Sequence, residues 1–217
     1  ALADVDNDGD LDIVLANGGS RNRLYRNQLI PSGSLTFVGG NLGAAQNDSR
    51  SVAVGDLNGD GFTDIVFGEF GLANTVHLSD GEGGLSGGTA IGGEANETFA
   101  VNLADVTGNG NLDLVEGSQQ QVTRIYPGNG NGGFTAASSV GDSSNANTTV
   151  ALAVADLDRD NDLDIMHVHE PSGPTLGLLS VWVAEGPIVA TWHASIRSSR
   201  RELNATAPLV RSATEKI

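Results

Sequence analysis

The chain contains no cysteine, so neither a disulfide framework nor thiol chemistry supports its fold. Aromatic residues make up 5% of its 217 residues, with two tryptophans and two tyrosines. No apolar run approaches the roughly 20 residues of a membrane-spanning helix, and no signal peptide is visible. Basic residues are also scarce: 11 Lys and Arg stand against 27 Asp and Glu, a formal charge of −16. That balance argues against nucleic acid as a partner. No Ser/His/Asp spacing or nucleophile elbow is present, and paired carboxylates for acid–base work cannot be separated here from metal ligands.

What the chain has in abundance is one acidic nine-residue stretch. It opens as Asp4-Val5-Asp6-Asn7-Asp8-Gly9-Asp10-Leu11-Asp12 and returns at Asp56–Asp64, Asp105–Asp113 and Asp156–Asp164. The first positions are 52, 49 and 51 residues apart, a period that fits one propeller blade. Fifteen of the 18 aspartates before residue 171 lie in these four stretches. The acidity is therefore concentrated, and apposed carboxylates should loosen the loops when no cation is present.

The spacing has a chemical reason. Calcium takes six to eight oxygens at about 2.3–2.6 Å. Side chains at positions 1, 3, 5 and 9 converge on one point if the chain turns sharply. The candidate ligands are Asp4, Asp6, Asp8 and Asp12; Asp56, Asn58, Asp60 and Asp64; Asp105, Thr107, Asn109 and Asp113; and Asp156, Asp158, Asp160 and Asp164. Position 7 (Asp10, Phe62, Asn111 and Asp162) would contribute its backbone carbonyl. Glycine at position 6 permits the turn, and Asn161 replaces it in the fourth copy. Three copies carry a full set, while Thr107 and Asn109 replace two carboxylates in the third. An EF-hand would need a bidentate Glu at position 12 and helical flanks. Position 12 is Leu15, Phe67, Glu116 and His167, and the flanks read as strands. Asx turns without metal are the plain alternative.

Each stretch is preceded by a short apolar alternation and followed by a β-branched run. A third strand is predicted about a dozen residues after the last Asp, at Arg23–Tyr25, Thr75–His77, Arg124–Tyr126 and Thr175–Gly177. Turns at Pro31–Ser34, Asp80–Gly84 and Gly128–Gly133 should lead into a fourth strand near Phe37, Leu85 and Phe134. The expected fold is all-β, with four four-stranded blades forming a small closed ring or part of a larger propeller. Residues 1–170 carry the repeats. Residues 171–217 form a net-basic, diverged end of the fourth repeat, with a last strand near Ala207–Arg211 that closes the ring or pairs with another molecule, unless the sequence there is altered in frame. Ala1-Leu2-Ala3 matches the end of a first strand, so the chain is expected to begin in mid-repeat, as a mature product or fragment.

The pattern V-A-x-x-D-x-[DN]-x-D-G-x-x-D-[IL]-V, with Asn22-Arg23-Leu24-Tyr25 and an N-G-x-G-x-F turn, resembles the FG-GAP/VCBS repeat family over roughly residues 1–170. That family includes blades of integrin alpha subunits and many secreted bacterial proteins. The resemblance implies a β-propeller with Ca2+ in the hairpin between the first two strands of each blade. It also implies an extracellular or cell-surface setting, which weak calcium sites suit.

Other residues are candidates for recognition. Asn47, Asn96, Asn147 and Asn204 begin N-x-Ser/Thr sequons in repeat phase, read either as glycosylation acceptors or as Asx turns opening a strand. Tyr25, Trp182 and Trp192 could stack on a sugar, or the tryptophans could be core. The Arg21/Arg23/Arg26 cluster could bind an anionic glycan or pair with nearby loop aspartates. His167 and His169 alternate on one strand, as strand surface or as two metal ligands. The expected function is an adhesion or recognition module, not an enzyme, whose partner is a carbohydrate or surface protein. The alternatives are a self-assembling subunit of a fibre or surface layer, and a polysaccharide lyase.

Overall fold

The computed structural model describes residues 1–43, 47–140 and 148–170, together with the backbone of two further strands. The sixteen strands of the described residues form four antiparallel meanders, one per repeat, and pairing of Phe70 with Glu97 and of Leu72 with Asn96 joins the second and third into one eight-stranded sheet. Sheet 1 comprises β1 (Leu2–Ala3), β2 (Asp12–Leu15), β3 (Asn22–Asn27) and β4 (Phe37–Leu42). Sheet 2 comprises β5 (Ser49–Gly55), β6 (Asp64–Leu72), β7 (Thr75–His77) and β8 (Thr89–Ala90). Sheet 3 comprises β9 (Asn96–Ala104), β10 (Asp113–Ser118), β11 (Thr123–Tyr126) and β12 (Ser138–Val140). Sheet 4 comprises β13 (Thr149–Ala155), β14 (Asp164–His169), β15 (Leu178–Ala184) and β16 (Thr191–Arg197). The predicted all-β class is therefore met, with one single-turn helix, α1 (Leu29–Ser32), among the described residues.

Period-2 alternation sends successive side chains to opposite faces, and both faces of the inner sheets are covered. In sheet 2, Ile65 and Phe67 pack with Val14 and Leu24 of sheet 1, while Val66 and Val76 pack with Leu114 and Tyr126 of sheet 3. Val115 and Ile125 of sheet 3 then pack with Ile165 of sheet 4. The apolar runs of sheets 2 and 3 thus each serve two interfaces, which explains why they alternate little. Close approach at these interfaces demands glycine in places. A Cβ on Gly117 would lie 2.5 Å from Thr149 Cγ2, and one on Gly68 would lie 2.9 Å from Val101 Cγ1.

Some expectations need correction. The turns after β7 and β11 close with isolated bridges, Ser79 to Leu85 and Gly128 to Phe134. The fourth strands there begin only at Thr89 and Ser138. Phe37 does open β4 as expected. The predicted turn at Pro31–Ser34 overlaps the end of α1 at Pro31 and Ser32, and the helix is capped by left-handed Gly33 (φ 71°). The expected strands at 175–177 and 207–211 lie outside the described residues, and β15 begins at Leu178.

Replacing Gly117 with Val should cost about 1–3 kcal/mol through overpacking against Thr149, seen as a lower denaturation midpoint at unchanged slope. A stability equal to wild type would show that the interface between sheets 3 and 4 has slack.

Candidate metal centres at the first hairpin of each sheet

All four acidic stretches form the hairpin between the first and second strands of their sheet, at the same corner of each meander. The turn is built the same way each time. The first carboxylate folds back over the loop: Asp56 accepts the N–H groups of Gly59 (2.7 Å) and Gly61 (2.9 Å), and Asp105 those of Asn109 and Gly110. Asp4 and Asp156 do likewise. The position-5 side chain accepts the N–H of position 7: Asp8 from Asp10, Asp60 from Phe62, Asn109 from Asn111, and Asp160 from Asp162.

Position 6 is left-handed in every copy, at Gly9, Gly61, Gly110 and Asn161, as the spacing required. Position 4 is left-handed too, at Asn7, Gly59, Gly108 and Arg159. Sequence reasoning missed this second constraint. Its signal was glycine or asparagine at three of the four positions; Arg159 (φ 69°) is the exception.

The last aspartate of each stretch is almost fully buried. One oxygen of Asp64 accepts the Leu57 N–H (2.8 Å) and the other the Ser79 N–H at the end of the third strand (2.9 Å). Asp12 does the same with Val5 and Asn27, and Asp113 with Thr107 and Gly128. Asp164 holds Leu157. This aspartate therefore closes the loop and ties it to the third strand, a structural role the spacing alone did not reveal.

Among the described residues, two carboxylate triplets bring oxygens within 4.8 Å of one another: Asp4, Asp6 and Asp8, and Asp156, Asp158 and Asp160. Ligands on opposite sides of a calcium ion are about 4.6–5.2 Å apart, so these clusters have a suitable span, and their donors are hard oxygens. Asp6 Oδ1 is buried without a hydrogen-bond partner. Burial raises the Asp6 pKa, as does repulsion from Asp12, Asp8 and Asp4, against the opposing Arg26. Asp158 is likewise raised, by desolvation and then by Asp160 and Asp164. In the second loop Asn58 donates to Asp60 (2.8 Å). Burial would push Asp56 up, but the N–H groups of Gly61, Gly59, Asn58 and Asp60 hold it below its ordinary value. In the third loop Thr107 Oγ1 is buried and unpartnered.

The remaining candidates are placed as follows. Arg26 forms an ion pair with Asp6 (3.6 Å) and donates to the Gly83 carbonyl, while Arg23 lies 4.9 Å over the half-buried Tyr25 ring. His167 and His169 are not strand surface. Both are buried, their rings 4.3 Å apart, with Nδ1 atoms facing the hydroxyls of Thr123 and Thr149. Asn96 is buried and donates to Glu116 (3.0 Å), and Asn47 donates to Glu69 (3.2 Å). Asn147 and Asn204 lie outside the described residues. Trp182 sits in β15 and Trp192 in β16, in register with His193 and Val183.

Two buried acids stand alone in apolar strands: Glu69, which the sequence did not single out, and Glu116, which it offered only as the position-12 residue of the third copy. Glu69 accepts from Ser49, Asn47 and Thr75. Glu116 accepts from Asn74 of sheet 2 (2.8 Å), Asn96 and Ser118. Burial raises the Glu116 pKa, against opposing hydrogen bonds and Arg124.

The molecule is thus a β-repeat protein defined by an acidic turn at the first hairpin of each sheet. A family model for the FG-GAP-like repeat matches residues 4–67 and 116–167, more than half of the chain, and the chain belongs to that family. Short stretches are also similar to mycobacterial proteins named phosphatidyl-myo-inositol mannosyltransferase. One from Mycolicibacterium smegmatis is 43% identical over 58 residues, 27% of this chain and 15% of that protein. One from Mycobacterium leprae is 52% identical over 40 residues, 18% of this chain and 11% of that protein. One from Mycobacterium tuberculosis is 45% identical over 56 residues, 26% and 15% respectively. The chain therefore spans only about a seventh of the curated relatives it matches.

Two outcomes follow. Asp64→Ala, assayed with chelator present, should lose about 2–4 kcal/mol, since it strands two buried N–H groups; a loss seen only with calcium would overturn the staple role. A raised carboxyl pKa in the fold contributes stability below the unfolded value of about 4.3, lost as pH rises through the folded value. Wild type should therefore lose melting temperature relative to Glu116→Gln as pH increases from 4 to 8. A pH-independent difference would count against a buried, titrating Glu116.

Proposed function

We propose that the chain is a calcium-stabilised β-propeller module whose four sheets are blades, acting outside the cell in adhesion or recognition. One observation carries this reading: the same oxygen-lined turn recurs at the same corner of every sheet, and in two copies three carboxylates converge within 4.8 Å. Repulsion among those carboxylates is relieved by a divalent cation, which makes the ion a part of the fold more readily than a catalyst. Loops of this kind with dissociation constants of about 10⁻⁴–10⁻³ M fill at extracellular calcium levels and stay empty in the cytosol.

The partner on this reading is a carbohydrate or a surface protein, with Tyr25, backed by Arg23, and Trp182 and Trp192 as the stacking groups. Matches of 40 to 58 residues to the mannosyltransferases cover too little of those proteins to transfer their activity here. Fold alone does not decide function, so ligand and metal are tested separately.

Calcium at ten times its dissociation constant should add about 1.4 kcal/mol per site, raising the melting temperature by roughly 3–6 °C per filled site. Asp4→Ala and Asp156→Ala should each remove one increment. Identical melting in millimolar calcium and in chelator would defeat the metal reading. A glycan array probed with wild type and Tyr25→Ala tests the recognition reading independently.

A further inference from the structure

Arg26 is set into the seam between sheets 1 and 2. It lies near the end of β3, between the first acidic turn and the glycine-rich turn of sheet 2. Its Nε is 3.6 Å from Asp6 Oδ2, and its Nη2 donates to the Gly83 carbonyl. The Asp6 side chain is 15% exposed and that of Arg26 30%, so solvent and salt screen the pair only in part. Each partner keeps a buried atom without a hydrogen bond, Asp6 Oδ1 and Arg26 Nε. The pair is therefore held by charge and not by a directed hydrogen bond, and the two groups can separate without breaking one.

The repeat shows that packing alone does not call for a cation here. The residue just before the N–H held by the last loop aspartate is Arg26 in sheet 1, Leu78 in sheet 2 and Pro127 in sheet 3. The turn of the next sheet rests on it in both cases where that turn is glycine-rich. A Cβ on Gly83 would lie 3.0 Å from Arg26 Nε, and one on Gly132, its equivalent in sheet 3, would lie 2.6 Å from Leu78 Cδ1. An apolar side chain thus seats the same turn between sheets 2 and 3. What differs on the loop side is position 3, which is Asp6 in the first turn, neutral Asn58 in the second and neutral Thr107 in the third. Among sheets 1 to 3, the cation in the seam accompanies the carboxylate it faces.

We propose that Arg26 is the built-in counter-charge of the first acidic turn: it stands in for a cation at Asp6, and a divalent ion entering among Asp4, Asp6 and Asp8 has to displace it. Two cations competing for one carboxylate weaken each other by the same factor. On leaving Asp6 the guanidinium keeps the Gly83 carbonyl, so the seam with sheet 2 stays closed while the turn exchanges one cation for another. The first turn is thereby ordered at calcium levels that leave it empty, and it fills at higher calcium than it would with a neutral residue in the seam. Displacement rests on the calcium reading proposed above, whereas the counter-charge acts without any bound metal.

The test is melting of the full chain in chelator, at low salt and in 1 M NaCl, followed by calcium titration calorimetry, for wild type, Arg26→Gln and Arg26→Lys. In chelator at low salt, Arg26→Gln should melt below wild type. The loss should shrink in 1 M NaCl, where the screening length falls to about 3 Å, and Arg26→Lys should recover most of it. If Arg26→Gln does not fold, Arg26→Leu, with the residue that sheet 2 carries there, takes its place. In calorimetry the first site is the component that adding Asp4→Ala abolishes. Arg26→Gln should tighten it at least about fivefold, the low end of ordinary coupling between two sites. A neutral variant that melts as wild type in chelator, a loss that salt leaves unchanged, or one that lysine does not reverse would overturn the proposal. So would a first site that is absent from Arg26→Gln, or no tighter there, while other turns bind calcium. If no variant binds calcium at any turn, the calcium reading itself fails, and the chelator series alone upholds or overturns the counter-charge.

Discussion

The structure depends above all on one buried carboxylate per repeat. Asp12, Asp64 and Asp113 each bridge two backbone N–H groups, one inside the acidic turn and one at the end of the third strand. An ionised carboxylate with no cation beside it is costly to bury, and charge-assisted N–H bonds make it tolerable. Burial still raises the Asp64 pKa, even with the opposing N–H groups of Ser79 and Leu57. The same residue that completes the oxygen pattern of the loop therefore also fixes where the third strand ends. Loop chemistry and sheet geometry cannot be altered independently.

With the loop anchored at its last position, the first three acidic positions are left facing one another. That arrangement is self-repelling, and the turn accommodates it through backbone N–H groups and left-handed residues at positions 4 and 6. A divalent cation at this point would replace repulsion with attraction without moving the anchor. Arg26 beside Asp6 does part of this in the first loop, as a fixed positive charge. The stretch in the third repeat, with Thr107 and Asn109, has little repulsion to relieve, which suits a turn that stands on hydrogen bonds alone.

Between sheets, packing is apolar over most of the contact and polar at the end far from the acidic turns. Asn74 of sheet 2 reaches Glu116 of sheet 3, and Thr123 of sheet 3 meets His167 of sheet 4. These pairs are buried and geometrically demanding, so they set the relative position of neighbouring sheets more strictly than aliphatic contacts can. The sequon asparagines Asn47 and Asn96 belong to this system, as donors to Glu69 and Glu116. Their regular phase is explained by the repeated strand opening.

The sequence by itself determined the repeat, its period, the strand on each side of the acidic turn, the left-handed position 6 and the family. These follow from local chemistry: alternating apolar residues, oxygen donors at odd spacing, and residues that tolerate positive φ. It did not determine the fates of Glu116, His167, His169 or Asn96, which read as chance, surface or modification sites and are buried. Their surroundings come from residues such as Asn74 and Thr123, 42 and 44 positions away, and no local pattern encodes a partner at that distance. Only the tertiary structure decided that the apolar runs of sheets 2 and 3 each serve two interfaces. Burial of a sheet face is a property of its neighbour, and Leu15 and Phe67 occupy the same place in the repeat with opposite exposure.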